Sequence, residues 1–231
     1  MPVFEYSPEE RRVWRAVLER LQEAHAKSAF STYLRTKETL GITPDDIPQG
    51  QNISETLHEL SGFHLAPAEG LLAPADFFGC LADRRFPCTQ YLRHGSDPAF
   101  TPEPDMVHDL VGHVPLLADH DYAALIELLG SASCDATKDR LFALSQFYWF
   151  GIEFGLIQER GETKVFGAGL LSSYGEMQHA LSSQVERRPF RLDDVIETQY
   201  DPTRMQDVLF VIPSLAFLRT QLETLVGRSQ A

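Results

Sequence analysis

The segment Phe147-Tyr148-Trp149-Phe150-Gly151-Ile152-Glu153-Phe154-Gly155-Leu156-Ile157 is apolar nearly all round, and Glu153 is its one ionisable carboxylate. A helix of that composition has no face to offer water and must be buried. Isolated buried charge is costly, so the carboxyl has three ways to persist there: protonated, paired with a cation, or bound to a metal. Taken alone, the segment leaves pairing with an arginine and metal binding equally open.

A second segment, Pro104-Asp105-Met106-Val107-His108-Asp109-Leu110-Val111-Gly112-His113-Val114-Pro115-Leu116, places two histidines five positions apart. Residues four apart share one face of a straight helix, and five is a poor spacing. Gly112 relaxes the objection if the helix ends there and His113 swings back toward His108. Two histidines and a carboxylate then suit a facial triad, with coordination positions left open for oxygen and substrates. Read alone, the histidine pair is more simply two side chains hydrogen-bonded to backbone; the helix bearing Glu153 supplies the reason for a third ligand. Catalytic zinc also accepts such a set, but H-E-x-x-H is absent and Asp109 stands where its general base would be. His120 and His179 are read as surface or supporting residues.

The 231 residues suffice for one domain with a substantial core. A formal net charge of −13 argues against nucleic acid or an anionic membrane as partner. The apolar stretch 208–218 is too short to span a bilayer and is broken by Pro213. The first residues show no apolar signal-peptide core. Cys80, Cys88 and Cys134 form no disulfide framework, which points to a reducing cytoplasm.

Ser7-Pro8-Glu9-Glu10 predicts a helix start, with Val13, Trp14, Val17, Leu18 and Leu21 facing the core. Residues 41–51 read as a loop, and Asn52 as the cap of a short helix, with Glu55 in the capping box, ending near Gly62. Further helices are expected after Pro74 (carrying Phe77, Phe78 and Leu81), from Thr101-Pro102-Glu103-Pro104 to about Gly112 with Pro115 closing it, over 121–129 with Gly130 as stop, over 135–158 as the longest, and over 214–226. Short strands are expected at 164–166 and 208–212. The fold class is α+β, predominantly helical with a small amount of β-sheet.

Four motifs in order make the chain resemble the pterin-dependent aromatic amino acid hydroxylases. They are Cys88-Thr89-Gln90-Tyr91-Leu92-Arg93-His94-Gly95-Ser96, the block from Thr101 to His113, Tyr148-Trp149-Phe150 with Glu153-Phe154-Gly155-Leu156, and Phe166-Gly167-Ala168-Gly169-Leu170-Leu171-Ser172-Ser173. The resemblance runs from about Tyr6 to Val226. It implies a monooxygenase using Fe(II), a tetrahydropterin (tetrahydrobiopterin or tetrahydromonapterin) as cosubstrate, and O2, with His108, His113 and Glu153 as catalytic iron ligands. It implies Arg93, Thr101, Asp105, Trp149, Gly169 and Ser172 at the amino acid, Arg93 gripping its carboxylate; for Asp105 the simpler role is to orient Arg93. Pro104 and His108 would share the wall around the substrate ring with Trp149, whereas Phe147 and Phe150 are read as core. Gly70, Leu71, Leu72, Phe77, Asp109 and Tyr148 would form the pterin site, Phe77 stacking on the ring.

The chain departs from family patterns at several places. Asp109 stands for a common glutamate, Pro87 for a histidine of some animal enzymes, and Ala73-Pro74 for serines. Leu209 stands for a tyrosine and is expected to reshape the pocket. Trp149 favours phenylalanine or tyrosine over tryptophan as substrate, while Gln206-Asp207-Val208-Leu209-Phe210 looks more like the tryptophan enzymes. Phenylalanine, giving tyrosine, is the first expectation; tyrosine 3-, tryptophan 5- and phenylalanine 3-hydroxylation are the alternatives. No regulatory domain or tetramerisation helix is recognised, so 1–231 is expected to be one catalytic domain, cytoplasmic and monomeric. Two rival classes are a zinc-type metallohydrolase and a non-catalytic helical binding module with a salt-bridged Glu153.

Overall fold

A computed structural model describes residues 3–70, 72–94, 104–134 and 136–228. In chain order the elements are α1 (Pro8–Ser28), α2 (Ser31–Thr39), α3 (Gly50–Ser61), β1 (His64–Ala68), α4 (Pro74–Ala82) and β2 (Arg85–Thr89). A π-helical turn, His108–His113, runs into α5 (Val114–Leu117) and is followed by α6 (His120–Ser133). Then α7 (Lys138–Phe147) runs into a second π-helical turn, Tyr148–Glu153. The chain ends with β3 (Leu156–Glu159), β4 (Glu162–Val165), α8 (Ala168–Leu171), α9 (Tyr174–Leu181), β5 (Glu186–Pro189), α10 (Leu192–Glu197), β6 (Val208–Ile212) and α11 (Leu215–Gly227). Strands β1 and β2 pair in parallel. A second sheet has the order β4-β3-β6-β5, antiparallel only between β3 and β4. The class is the expected helix-rich α+β.

Local signals explain where several elements begin. Ser7 accepts from the Glu10 amide while the Glu10 carboxylate accepts from the Ser7 amide, closing the capping box. Val13, Trp14, Val17, Leu18 and Leu21 are all buried, as their spacing requires. Strand β6 occupies the expected 208–212 and α11 the expected last helix.

Other expectations fail for identifiable reasons. Asn52 lies inside α3, which starts at Gly50 without a side-chain cap, and Glu55 bonds Gln51 instead of a cap. Gly130 does not stop α6; the helix runs through it, and a β-carbon there would lie 2.3 Å from the Ala82 amide nitrogen, so the glycine marks the close crossing of α4 and α6. The helix of His108 does not end at Gly112, because the chain widens into the π-turn and continues through Pro115 to Leu117. Its proposed opening at residues 101–103 lies outside the described residues, as does Asp135. The long helix expected over 135–158 is α7, capped by Thr137, plus a π-turn that ends at Glu153; the chain then enters β3. Leu156 and Ile157 are buried strand residues, and an apolar run cannot distinguish buried helix from buried strand by periodicity. Among the described residues no helix is long and apolar enough to cross a membrane, and all three cysteines are free.

The first helices carry a buried basic group. His25 of α1 is 1% exposed, and Tyr33 and Lys37 of α2 face it. Burial, and then the Lys37 ammonium, push His25 down to about 3 from the ordinary 6.5. Between those values the unfolded chain holds a proton that the folded chain refuses, so stability is full above about pH 6.5 and falls as pH drops below it, by about 1.4 kcal/mol per pH unit. We predict that the melting temperature declines from pH 6.5 to 5.5, above most carboxylate titration, and that His25→Gln flattens this slope. An unchanged slope in the variant would assign the decline to other groups.

Candidate metal centre and substrate cavity

The two π-turns explain how residues five apart can act together. In an α-helix such residues are about 140° apart around the axis; in a π-turn, with its i→i+5 bonding, they return to one face. His108 and His113 are the first and last residues of one π-turn, and Tyr148 and Glu153 of the other. All four line a single cavity of about 450 Å³. Close approach of backbones completes the arrangement. A β-carbon on Gly112 would meet the Ala168 carbonyl at 2.6 Å, and one on Gly167 the Glu153 carbonyl at 2.3 Å.

The His113 Nε2 atom lies 3.1 Å from His108 Nε2 and 2.9 Å from Glu153 Oε1, with 3.7 Å between His108 Nε2 and Glu153 Oε1. Donors bound about 2.1 Å from one ion and at right angles to each other stand about 3.0 Å apart, so the three atoms fit the face of a single coordination sphere. Among the described residues these are the one cluster of at least three such side chains within metal-sharing distance. His108 Nδ1 contacts the Ser172 hydroxyl at 3.2 Å, which orients the ring with Nε2 toward the cluster. Without a cation the group is an ion pair. Burial pulls His108 down, but Glu153 and the nearby aspartates carry it up to about 9. Burial would raise Glu153, yet His113 and His108 together hold it well below the usual carboxylate range. Protons and a metal therefore compete for the same atoms.

Behind the cluster, Asp105 is fully buried and accepts from Arg93 Nε at 2.9 Å, Arg93 Nη2 at 2.7 Å, the Arg93 amide at 2.8 Å and the His108 amide at 3.0 Å. It does not line the cavity; it orients Arg93, which does. Trp149, Gly169 and Ser172 also line it, as do Gly70, Leu72, Phe77, Asp109 and Tyr148 on the side expected for a pterin. Phe77 meets Tyr148 edge-on at 5.4 Å. Asp109 is buried and accepts from both the amide and the hydroxyl of Thr89 at 2.7 Å, while burial raises its carboxyl. Leu71 and Thr101 lie outside the described residues. Pro87 and Pro104 are in the wall, and Phe147 and Phe150 are core, as expected. Leu209 is a correction: it is buried within β6 and does not line the cavity. Of the other histidines, His120 is exposed and His179 bonds the Gln206 carbonyl, away from the cluster.

Several wall residues escaped the sequence reading. Tyr200 stacks on Trp149 with ring centres 4.0 Å apart and planes 9° apart, and Phe154 packs against the same indole at 4.6 Å. Pro202 adjoins them, and the loop is held by Gln206, which accepts from Trp149 Nε1 at 3.3 Å and donates to the Asp201 carbonyl at 2.8 Å. Glu176 also faces the cavity, half-buried, with its carboxyl raised by burial. No local signal marks the loop as part of a site, because its partners are distant in the chain.

Comparison with known proteins agrees with this arrangement. A family model described as biopterin-dependent aromatic amino acid hydroxylase matches residues 1–228. A tyrosine 3-monooxygenase of Mus musculus is 42% identical over 234 residues, spanning 100% of this chain and 47% of its own length. The chloroplastic phenylalanine 4-monooxygenase of Physcomitrium patens is 46% identical over 179 residues, 78% of this chain and 45% of that protein. The chain thus spans about half the length of the curated relatives it matches. Among solved structures, Chromobacterium violaceum phenylalanine hydroxylase with bound iron(III) and 7,8-dihydrobiopterin aligns with a TM-score of 0.91 and 32% identity, over 98% of this chain and 84% of that one. The phenylalanine hydroxylase of Colwellia psychrerythraea gives 0.91 and 29%, over 98% and 90%.

The cluster generates a direct test. The purified chain is expected to bind one ferrous or cobaltous ion, and Glu153→Ala to weaken that binding by more than about 100-fold, beyond the usual loss from an outer-shell change. Calorimetric titration of the metal-free protein measures it, and equal affinity in the variant would place the ion elsewhere.

Proposed function

Since this chain belongs to the biopterin-dependent aromatic amino acid hydroxylase family, we propose that it is an iron- and tetrahydropterin-dependent monooxygenase acting on the ring of an aromatic amino acid. The carrying observation is the convergence of the His108, His113 and Glu153 donor atoms on a cavity whose walls include Phe77, Phe86, Tyr148, Trp149, Phe154 and Tyr200. Ferrous iron and the reduced pterin together would supply the two-electron activation of dioxygen. The residues of the chain supply everything that decides where this happens. His108, His113 and Glu153 would hold the ion at the cavity wall. Phe77 and Tyr148 would offer flat apolar surface to a pterin ring, and Gly70 and Leu72 would lie beside its polar edge.

The amino acid would enter against Trp149, Phe154 and Tyr200, whose faces suit a ring and exclude water from it. Arg93, pre-set by Asp105, would take the carboxylate. Glu176, whose side chain has no ion pair or hydrogen bond among the described residues, offers a countercharge for the ammonium group. Phenylalanine is our first substrate, supported by the solved relatives. Tyrosine is the second, favoured by curated relatives named tyrosine 3-monooxygenase.

Supplying ferrous iron, tetrahydrobiopterin and oxygen with phenylalanine, tyrosine or tryptophan, and reading product mass and ring position, decides between these substrates. Turnover of none of the three, by protein carrying stoichiometric iron, would defeat the reading. Arg93→Lys keeps a charge for Asp105 but loses the planar fork. The amino acid KM should then rise about 10- to 100-fold, as for a lost charge-assisted hydrogen bond, with the pterin KM little changed; equal effects on both would refute the carboxylate assignment.

A further inference from the structure

The π-turn of His108–His113 is an uncommon conformation, and something must favour it over the ordinary α-helical winding that would carry His113 away from His108. Pro115 stands four residues after Val111 and has no amide hydrogen, so the usual i+4 donor to the Val111 carbonyl is missing. A buried carbonyl in that position needs another donor. Tyr33, fully buried on α2, donates its hydroxyl to that carbonyl at 2.9 Å. A second helix end is treated in the same way. Leu171 closes α8, so its carbonyl is one of those a helix leaves without an internal donor. His25 Nε2 lies 2.7 Å from it and must carry the proton, since a carbonyl only accepts.

The two caps are one unit. His25 and Tyr33 meet edge-on with ring centres 4.9 Å apart, and Lys37 Nζ lies 3.3 Å from His25 Nδ1, the nitrogen left as acceptor. Leu171 directly precedes Ser172, whose hydroxyl touches His108 Nδ1. The pair thus holds the backbone behind both the ligand-bearing turn and the residue that orients its first ligand.

Resting on the reading of the triad as a metal centre, we propose that Tyr33 and His25 are positioning residues for the metal, keeping the π-turn wound so that His108 and His113 face the same ion. Neither side chain lines the cavity; their hydrogen bonds to this region go to the Val111 and Leu171 carbonyls.

Cobalt(II) is the probe, titrated into metal-free wild type, Tyr33→Phe, His25→Gln, His25→Leu and Glu153→Ala, with affinity and visible spectrum read beside the melting temperature. Tyr33→Phe removes only the hydroxyl. It is expected to weaken cobalt binding about 10-fold, in the range of outer-shell losses, and to shift the cobalt d–d bands. His25→Gln, whose amide can still donate to Leu171, should bind more tightly than His25→Leu. Wild-type affinity and spectrum in Tyr33→Phe, whatever its melting temperature, would reduce the pair to a purely structural role and overturn the proposal. If Glu153→Ala binds cobalt as wild type does, the triad reading itself fails and this inference with it; loss in Glu153→Ala with none in Tyr33→Phe defeats only the inference.

Discussion

Everything at the cavity follows from the need to keep one carboxylate ionised inside an apolar wall. Glu153 is 9% exposed, and what compensates its burial is the two imidazoles that reach it from a different segment. In the bare protein the His108 proton balances its charge, and a single cation held by the three donors would do the same. A stable ion pair and a metal site are therefore the same object under different occupancy. The choice between them left open by residues 147–157 is a choice of what fills the centre.

Bringing three donors together imposes a backbone cost that the chain meets twice in the same manner. Both ligand-bearing segments widen into π-turns, and each aligns its first and last residues on the cavity: His108 with His113, and Tyr148 with Glu153. One turn gives two donor side chains; the other gives one donor and one aromatic wall residue. Gly112 and Gly167 admit the neighbouring backbones that a side chain would hold apart. The helices at the start of the chain are then more than packing, because Tyr33 bonds a carbonyl of the first π-turn and His25 one at the end of α8.

The three clustered side chains were legible because their chemistry is improbable in a core; the conformation that unites them was not. A spacing of five argues against a shared face under α-helical geometry, and Gly112 mimics a helix end. The actual solution keeps the chain helical and changes its pitch, a choice made by tertiary contacts such as Tyr33 with Val111, far apart in sequence. The boundary at Glu153 was hidden for a related reason: Phe150 and Ile157 are both buried, one from a helix and one from a central strand, so hydrophobicity does not change between them. Capping signals fared better where a side chain truly bonds, as at Ser7, and failed at Asn52, where no such bond forms. The loop of Tyr200 and Pro202 was invisible because nothing local distinguishes a turn that covers a pocket from one that covers water.

Asp105 shows why the site should be regarded as one structure and not as separate metal and substrate halves. Its Oδ1 accepts from both the Arg93 guanidinium and the His108 amide, and its Oδ2 from the Arg93 amide and Nε. The cavity-lining Arg93 and the first residue of the histidine-bearing turn are thus fixed to the same buried group. Removing one partner would leave Asp105 charge uncompensated in the interior, which costs far more than the lost contact itself. Displacement of Arg93 is therefore felt at His108 through a single carboxylate, and the distance between Arg93 and the histidine cluster is set by the protein itself. On the proposed function, that distance would decide which ring atom lies nearest the metal, so the choice of ring position would rest on backbone and buried carboxylate as much as on the aromatic walls.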